Sequence, residues 1–444
     1  MGYIRGEGRS QGTLFPVVLD DLVPTDHVCR VIDAFVDRLA MSDLGFDRAE
    51  AAETGRPGYD PRDLLKLYLY GYLHTIGSSR RLEAECRRNV ELMWLLGRLY
   101  PDHKSIAEFR RMHREAVTAA GAELIQFARS VGLIRGEWIA IDGSKFRAAS
   151  SARRVLDREA LQRYLDQMEN ADSEQETTID GSAVTSALEK LRRHPEPEAR
   201  FMRTPEGKVP AYNVQAAVDA EHALIITHQV STAGNDSSRL QPMAESVREV
   251  LGNGTETINI IADTGYSNGE QARICEASGL IPHIPAKRSI NNHGDGTLLD
   301  RTAFRYQPET DSFLCPAGQS LQRKQLARKD RAVVYQGQPA ICGVCAFKPA
   351  CTLTSRRLVT RHLDEEVLNR MHQRATLQVM RLRRSTVEHP FANLKYRIFG
   401  HPRFLMRGLG GTHTEISFAV MAYNLKRMVN IFGGSLLTTR LRPA

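Results

Sequence analysis

Residues 138–145 read WIAIDGSK, the end of a short apolar β-type run (Glu137–Ile141) that stops on Asp142-Gly143. A second such run, Thr257–Ala262 (TINIIA), stops on Asp263. Between them, Tyr212–Asp219 (YNVQAAVD) and Ala223–Val230 (ALIITHQV) read as two strands joined at Ala220-Glu221-His222, a hairpin signal. Ser237–Leu251 reads as an amphipathic helix, Asn268–Ser278 as another, and Leu280–Ile284 as a further strand. Strands interleaved with helices predict an α/β fold with a mixed sheet flanked by helices.

Such a sheet can set the carboxyl ends of neighbouring strands side by side, so Asp142 and Asp263 can meet. Glu388, in a helical region further on, can join them. Taken singly, each acid reads as a turn residue, a helix cap or half of an ion pair. Three converged carboxylates do not stay ionised together without a cation. Hard oxygen ligands favour Mg²⁺ or Mn²⁺. Two such ions, about 3.5–4 Å apart, form a clamp for in-line displacement at phosphorus.

The charge distribution agrees. The 444 residues carry a net +8, from 60 basic and 52 acidic side chains. Leu321–Arg361 holds nine Lys/Arg against one acid, Asp330, and Arg370–Arg407 holds nine against Glu388 alone. Those two stretches carry +16, leaving −8 for the remainder. Concentrated positive charge on an otherwise acidic chain is the footprint of a polyanion, foremost nucleic acid. A carboxylate among so many arginines suits a place where a phosphate and its metal meet.

With 42% hydrophobic and 25% charged residues, wholesale disorder is excluded, and two or three domains are expected. No apolar stretch approaches the ~18 residues of a membrane span, and residues 1–6 show no signal-peptide h-region. A cytoplasmic protein, nucleoid-associated when bound to DNA, is expected.

Residues 1–135 read as a helical domain, for DNA binding or for dimerisation and packing. Pro61–Tyr72 enters after Asp60 with Pro at the first helical position, and Arg80–Leu99 and Ala116–Val131 follow. Ser105-Ile106-Ala107-Glu108 reads as a capping box opening a basic helix. The expected organisation continues with a core from 136 to 290 that carries a charged arm at about 150–200. A basic, cysteine-rich insertion spans 291–360, and a second core part, 361–435, brings Glu388 and ends in an apolar helix, Glu415–Ile431.

Seven cysteines, an odd number, argue against a disulfide framework in a cytosolic chain. Cys315, Cys342, Cys345 and Cys351 cluster within 37 residues, in an insertion that reads as poor in apolar residues. They could make a tetrahedral structural Zn²⁺ site, or pack as free thiols in a small subdomain. His389, beside Glu388, reads as a packing residue.

These blocks together resemble the DDE transposases of bacterial insertion sequences, in the group that includes the insertion-sequence 1182 family. WIAIDGSK, YNVQAAV (212–218) and IADTGY (261–266) resemble the family's first-Asp, intermediate and second-Asp blocks. RPGYDPRDLLKLYLYGYL and KSIAEFRRMH resemble its N-terminal domain, and Arg384–Lys395 (RSTVEHPFANLK) its third-acid signature. That signature runs Tyr, two residues, Arg, three, Glu, six, Lys; Arg384, Glu388 and Lys395 fit, and Arg381 stands at the Tyr position. The separations, 121 residues from Asp142 to Asp263 and 125 on to Glu388, leave room for an insertion before the third acid.

The resemblance implies an RNase H-like catalytic core and metal-dependent cleavage and strand transfer at element ends. Water attacks first to expose a 3′-hydroxyl, which then attacks target DNA. Asp142, Asp263 and Glu388 are the expected catalytic and metal-holding residues, with two Mg²⁺ or Mn²⁺ ions as cofactors. Lys145, Arg384, Lys395 and Arg397 are the expected DNA contacts. Arg384 and Glu388 share a helix face at i and i+4, while Pro390 is expected to kink the helix before Lys395. The expected partners are the terminal inverted repeats and target duplex DNA, engaged by a homodimer, with no membrane. Competing readings are a catalytically silent, transposase-derived DNA-binding protein and an RNase H-like nuclease without strand transfer.

Overall fold

The computed structural model describes residues 18–50, 58–150, 186, 189, 196, 198–252, 257–286, 298–328 and 331–442. The charged arm expected at about 150–200 lies almost entirely outside the described residues.

The N-terminal segment is helical: α1 (Val28–Asp37), α2 (Pro61–Leu73), α3 (Ser79–Cys86), α4 (Val90–Leu95), α5 (His103–Met112) and α6 (Arg114–Ser130). In α2, Pro61 takes the first position, as expected, and Asp60 caps the helix by accepting the Arg62 N–H. Arg80–Leu99 is not one helix. Asn89 accepts the N–H groups of Glu91 and Leu92 and restarts the chain as α4, because a side-chain amide competes well for backbone donors. The expected Ser105 capping box is also corrected. The cap is Asp102, which accepts from the N–H groups of Lys104 and Ser105 and from the Ser105 hydroxyl, so Ser105 lies inside α5.

The central sheet contains β1 (Trp138–Arg147), β2 (Arg200–Thr204), β3 (Gly207–Asp219), β4 (Ile225–Ser231), β5 (Ile258–Ile261) and β6 (Leu280–His283), with α7 (Leu240–Leu251) and α8 (Gly269–Ala277) between later strands. The order is β4-β3-β1-β5-β6, with β2 extending the β3 edge. β3 is antiparallel to both β1 and β4, whereas β5 and β6 run parallel to β1. This is the RNase H-like arrangement that the resemblance implied. The runs IAI in β1 and INII in β5 are almost wholly buried, as strands covered on both faces must be.

β1 does not stop at Asp142, as its apolar run suggested. It continues through Gly143-Ser144-Lys145-Phe146 because β3 pairs with it out to Arg147↔Ala211. Its parallel partner is shorter: the β1–β5 register ends at Ala140↔Ile261.

The insertion forms a separate antiparallel sheet of β7 (Arg305–Gln307), β8 (Ser312–Leu314), β9 (Ser320–Ala327), β10 (Ala332–Gln336) and β11 (Leu358–His362), ordered β11-β10-β9-β8-β7. Contrary to the reading of weak apolar content, Phe304, Phe313, Leu321, Val333, Tyr335 and Val359 give it a core of its own.

The chain then returns as α9 (Glu365–Arg374), α10 (Leu377–Ala392), α11 (Gly408–Phe432) and α12 (Gly434–Leu441). Pro390 sits within α10, and the winding loosens just beyond it into a π-helical turn, Asn393–Ile398. A proline removes one N–H from the helical ladder, and an insertion of this kind absorbs the loss. α11 is buried along most of its length and ties the N-terminal helices to the sheet. Phe418 stacks on Tyr68 at 4.7 Å between ring centroids, while the Asn424 amide pairs with both backbone groups of Ile225 at 2.8–2.9 Å. No helix among the described residues is long and apolar enough to cross a membrane.

Glu415 of α11 is fully buried and accepts the N–H groups of Leu405 and Met406. It thereby anchors the segment that pairs with the end of β1, where the Arg147 N–H donates to Pro402 and the Phe404 N–H to Arg147. Burial pushes its carboxyl up to about 7, against the pull of those N–H groups and Arg110.

Two outcomes are expected. Asp102→Ala should cost about 1 kcal/mol of stability by urea titration, the usual value of an N-cap, and Ser105→Ala clearly less. The folded state also holds the Glu415 proton more tightly than the unfolded chain does. The stability this confers is complete below the ordinary carboxylate range and is lost as pH rises through about 7, a fall of about 3 kcal/mol. Glu415→Gln should lack that component when urea titrations at pH 4.5 and pH 8 are compared with wild type.

Candidate active site

Asp142 and Asp263 meet because of the strand lengths just described. Two residues past the last β1–β5 pair, Ala140↔Ile261, the chains stand level at 142 and 263. Asp263 caps a short 3₁₀ turn (Thr264–Tyr266) and accepts the Gly265 N–H at 2.7 Å. Asp142 accepts the Gly143 N–H at 2.8 Å.

What stands between the two carboxylates is Arg383 of α10. Its Nη2 lies 2.7 Å from Asp142 Oδ1 and 3.7 Å from Asp263 Oδ2. Burial dominates at Asp142 and pushes its carboxyl up to about 6; Arg383 and the Gly143 N–H pull the other way, and Asp263 and Asp236 add to the rise. Asp142 is thus a largely desolvated carboxylate with like charges beside it, a group that calls for a cation. Its oxygens and those of Asp263 are hard donors of the kind that hold Mg²⁺ or Mn²⁺.

Sequence reasoning missed both Arg383, which it counted only as one cation in a basic run, and Asp236. The Asp236 carboxylate accepts from Asn213 Nδ2 at 2.6 Å and Gln215 Nε2 at 2.7 Å, and lies 3.8 Å from Lys145 Nζ. Gln215 in turn accepts from the Tyr266 hydroxyl. A Cβ at Gly143 would lie 2.3 Å from Gln215 Nε2 and 2.7 Å from Asp236 Oδ1, so glycine lets this network rise against β1. The signal was present in YNVQAAV: two amides, at i and i+2, on one face of a buried strand.

The expected DNA contacts separate into two kinds. Lys145 and Lys395 are half-buried beside Asp142, and burial lowers both ammonium groups while Asp142 works against it. Lys395 Nζ lies 5.6 Å from the centroid of the Phe146 ring. Arg384 and Arg397 are exposed. Glu388 is 68% exposed, and its charged neighbour is Arg384 at 4.0 Å, the expected i,i+4 pair. The expected three-acid convergence is therefore corrected for this state: the aspartates adjoin around Arg383, with Asp236 close by, while Glu388 faces solvent. Its position on an exposed helix face leaves its charge solvated. His389 packs against Tyr423, with Nδ1 3.3 Å from the hydroxyl.

Cys315, Cys342, Cys345 and Cys351 line one cavity of about 40 Å³ in the insertion. Burial raises the Cys351 thiol, and the other three cysteines add to the rise, so the four are electrostatic neighbours. Cys315 and Cys351 also pack against the insertion's own core. Among the described residues, the group whose ligand atoms all lie within 4.8 Å of one another is instead His27, Cys29 and Glu91. There, His27 Nδ1 accepts the Cys29 N–H as a helix cap and Nε2 faces Glu91 at 3.4 Å. An imidazole that accepts at Nδ1 carries its proton on Nε2, leaving no lone pair for a metal; the trio is a helix cap whose Nε2–H faces a carboxylate.

Comparison with known proteins gives the family. The Transposase domain (DUF772) family matches residues 17–112, and the Transposase DDE domain family matches residues 139–425. No curated protein matches the sequence. Among solved structures, the chain is similar to the cryo-EM structure of a piggyBac transposase synaptic complex with hairpin DNA. That likeness has 9% identity over 94% of this chain and 85% of the other, with a TM-score of 0.24, a loose superposition. The match over 139–425 takes in both aspartates, Arg383 and Glu388, and on it the chain belongs to the DDE transposase family.

Proposed function

We propose that this protein catalyses metal-dependent cleavage and strand transfer at the ends of an insertion sequence of the 1182 type. The observation that carries the reading is the aspartate pair, level across two parallel strands and already drawing a cation. Asp142 and Asp263 would hold one or both Mg²⁺ or Mn²⁺ ions, and Glu388, on the helix that crosses the pair, the second. When bound, such ions activate the attacking oxygen and stabilise the leaving 3′-oxygen.

The chain's own residues supply the rest. Lys145 and Lys395 are placed to take phosphate oxygens beside the aspartates, and their half-burial strengthens that attraction. The Asp236 network fixes Lys145 from behind and is a positioning device. Arg384 and Arg397 project into solvent, where flanking backbone phosphates would run, and Arg384 can bind them bidentately. Water and then the freed 3′-hydroxyl are the successive nucleophiles. Terminal repeats and target duplex are the proposed substrates, and a homodimer the acting form.

A DNA-binding protein without catalysis has no use for carboxylates that repel phosphate, so retention of all three acids disfavours the silent alternative. Asp142→Asn, Asp263→Asn and Glu388→Gln should each abolish Mg²⁺-dependent nicking of a labelled element end, while gel-shift affinity stays equal or rises. Near-normal cleavage by any one of them removes that residue from the catalytic set.

For the insertion we propose one structural Zn²⁺ held by the four cysteines, whose sulfurs would draw together around it. Metal analysis of chelator-washed protein should find about one zinc per chain, the content of a closed site, and Cys342→Ser or Cys345→Ser should release it. The insertion's apolar core should keep its strands folded in those variants, so protease sensitivity should rise around 338–352 rather than throughout the sheet. Zinc far below that content in the wild type would leave four half-buried free thiols.

A further inference from the structure

The Arg383 guanidinium occupies the position where the proposed reaction needs a metal. Its side chain is 17% exposed, and its Nε is buried with no hydrogen-bond partner. A guanidinium serving only as scaffolding would spread its five donors over several acceptors. Here the attraction of two carboxylates places it. A divalent ion takes its oxygen ligands at about 2.0–2.1 Å. At that range the ion and the guanidinium would be in contact, two cations in a poorly screened cleft. The two cations therefore compete for the same carboxylates.

The same helix carries Glu388, five residues on and so about 140° around the axis. Arg383 and Glu388 cannot both point at one spot from a fixed helix. In this structure Arg383 is turned in, and Glu388 is turned out beside Arg384.

We propose that Arg383 is a resident counter-cation that holds the aspartate pair together before metal binding and competes with the metal for it. Loading the site then requires Arg383 to leave, and the movement of α10 that releases it is the one that can bring Glu388 toward the pair. This inference rests on the proposal that Asp142 and Asp263 hold metal.

The test uses the full-length protein without DNA, so that no activity is needed. Mn²⁺ binding is followed by electron paramagnetic resonance, and melting temperature is measured in chelator and in Mn²⁺. Arg383→Gln and Arg383→Met, both neutral, should bind Mn²⁺ about tenfold tighter than wild type, since a competing charge is gone. Both should melt about 2 °C lower in chelator and recover in Mn²⁺. Asp142→Asn sets the baseline. Wild type exceeding that baseline, with neutral variants no tighter than wild type, overturns the inference alone. Wild type and neutral variants all equal to the baseline overturn the metal reading and the inference with it. Neutral variants that fold neither in chelator nor in Mn²⁺ make Arg383 a plain structural ion pair and also overturn the proposal.

Discussion

The repulsion between two carboxylates, Asp142 and Asp263, governs how this molecule is built around its centre. They meet because β5 ends at Ile261 while β1 runs on to Arg147, leaving both acids level where the parallel pairing stops. Burial makes that meeting costly for the charge on Asp142. A desolvated acid next to another acid demands a positive partner, and Arg383 of α10 supplies one. The packing of α10 across the sheet is thus an electrostatic requirement as much as a hydrophobic one.

Polar groups elsewhere in the centre follow the same logic. Asp236 is close enough to raise Asp142 further, yet its own charge is met by the two amides of Asn213 and Gln215 and by Lys145. The network is built from alternate residues of one strand, whose two amide NH₂ groups both point at the Asp236 carboxylate. Outside the network charges are left to water: Glu388, Arg384 and Arg397 stand exposed on α10 and the π-helical turn after it. The result is a centre graded from dry to wet, with the fixed acids inside and the adjustable groups at the rim.

The helical parts serve the same centre at a distance. α11 packs N-terminal aromatics on one side and the edge of β4 on the other, so the N-terminal helices and the sheet share one apolar core. Glu415, from inside that helix, grips the segment lying against the end of β1. The insertion needs no such help, since its strands enclose their own cluster around Phe313 and Tyr335.

The sequence by itself determined the strand runs that end near Asp142 and Asp263, the helix opened by Pro61, and the basic stretch around Glu388, because period, propensity and charge are local properties. It overextended one helix, 80–99, and misplaced the cap at Ser105, where a neighbouring Asn89 or Asp102 competed better for the same donors. Arg383 and Asp236 stayed hidden among many similar residues, since what distinguishes them is only what they touch. Tertiary structure alone decided that β1 continues past its apolar run, because the length of a strand is set by its partner β3. It alone decided which cation meets the aspartates and that Glu388 stays outside, because Coulomb attraction and desolvation act across folded distances that spacing along a chain does not encode.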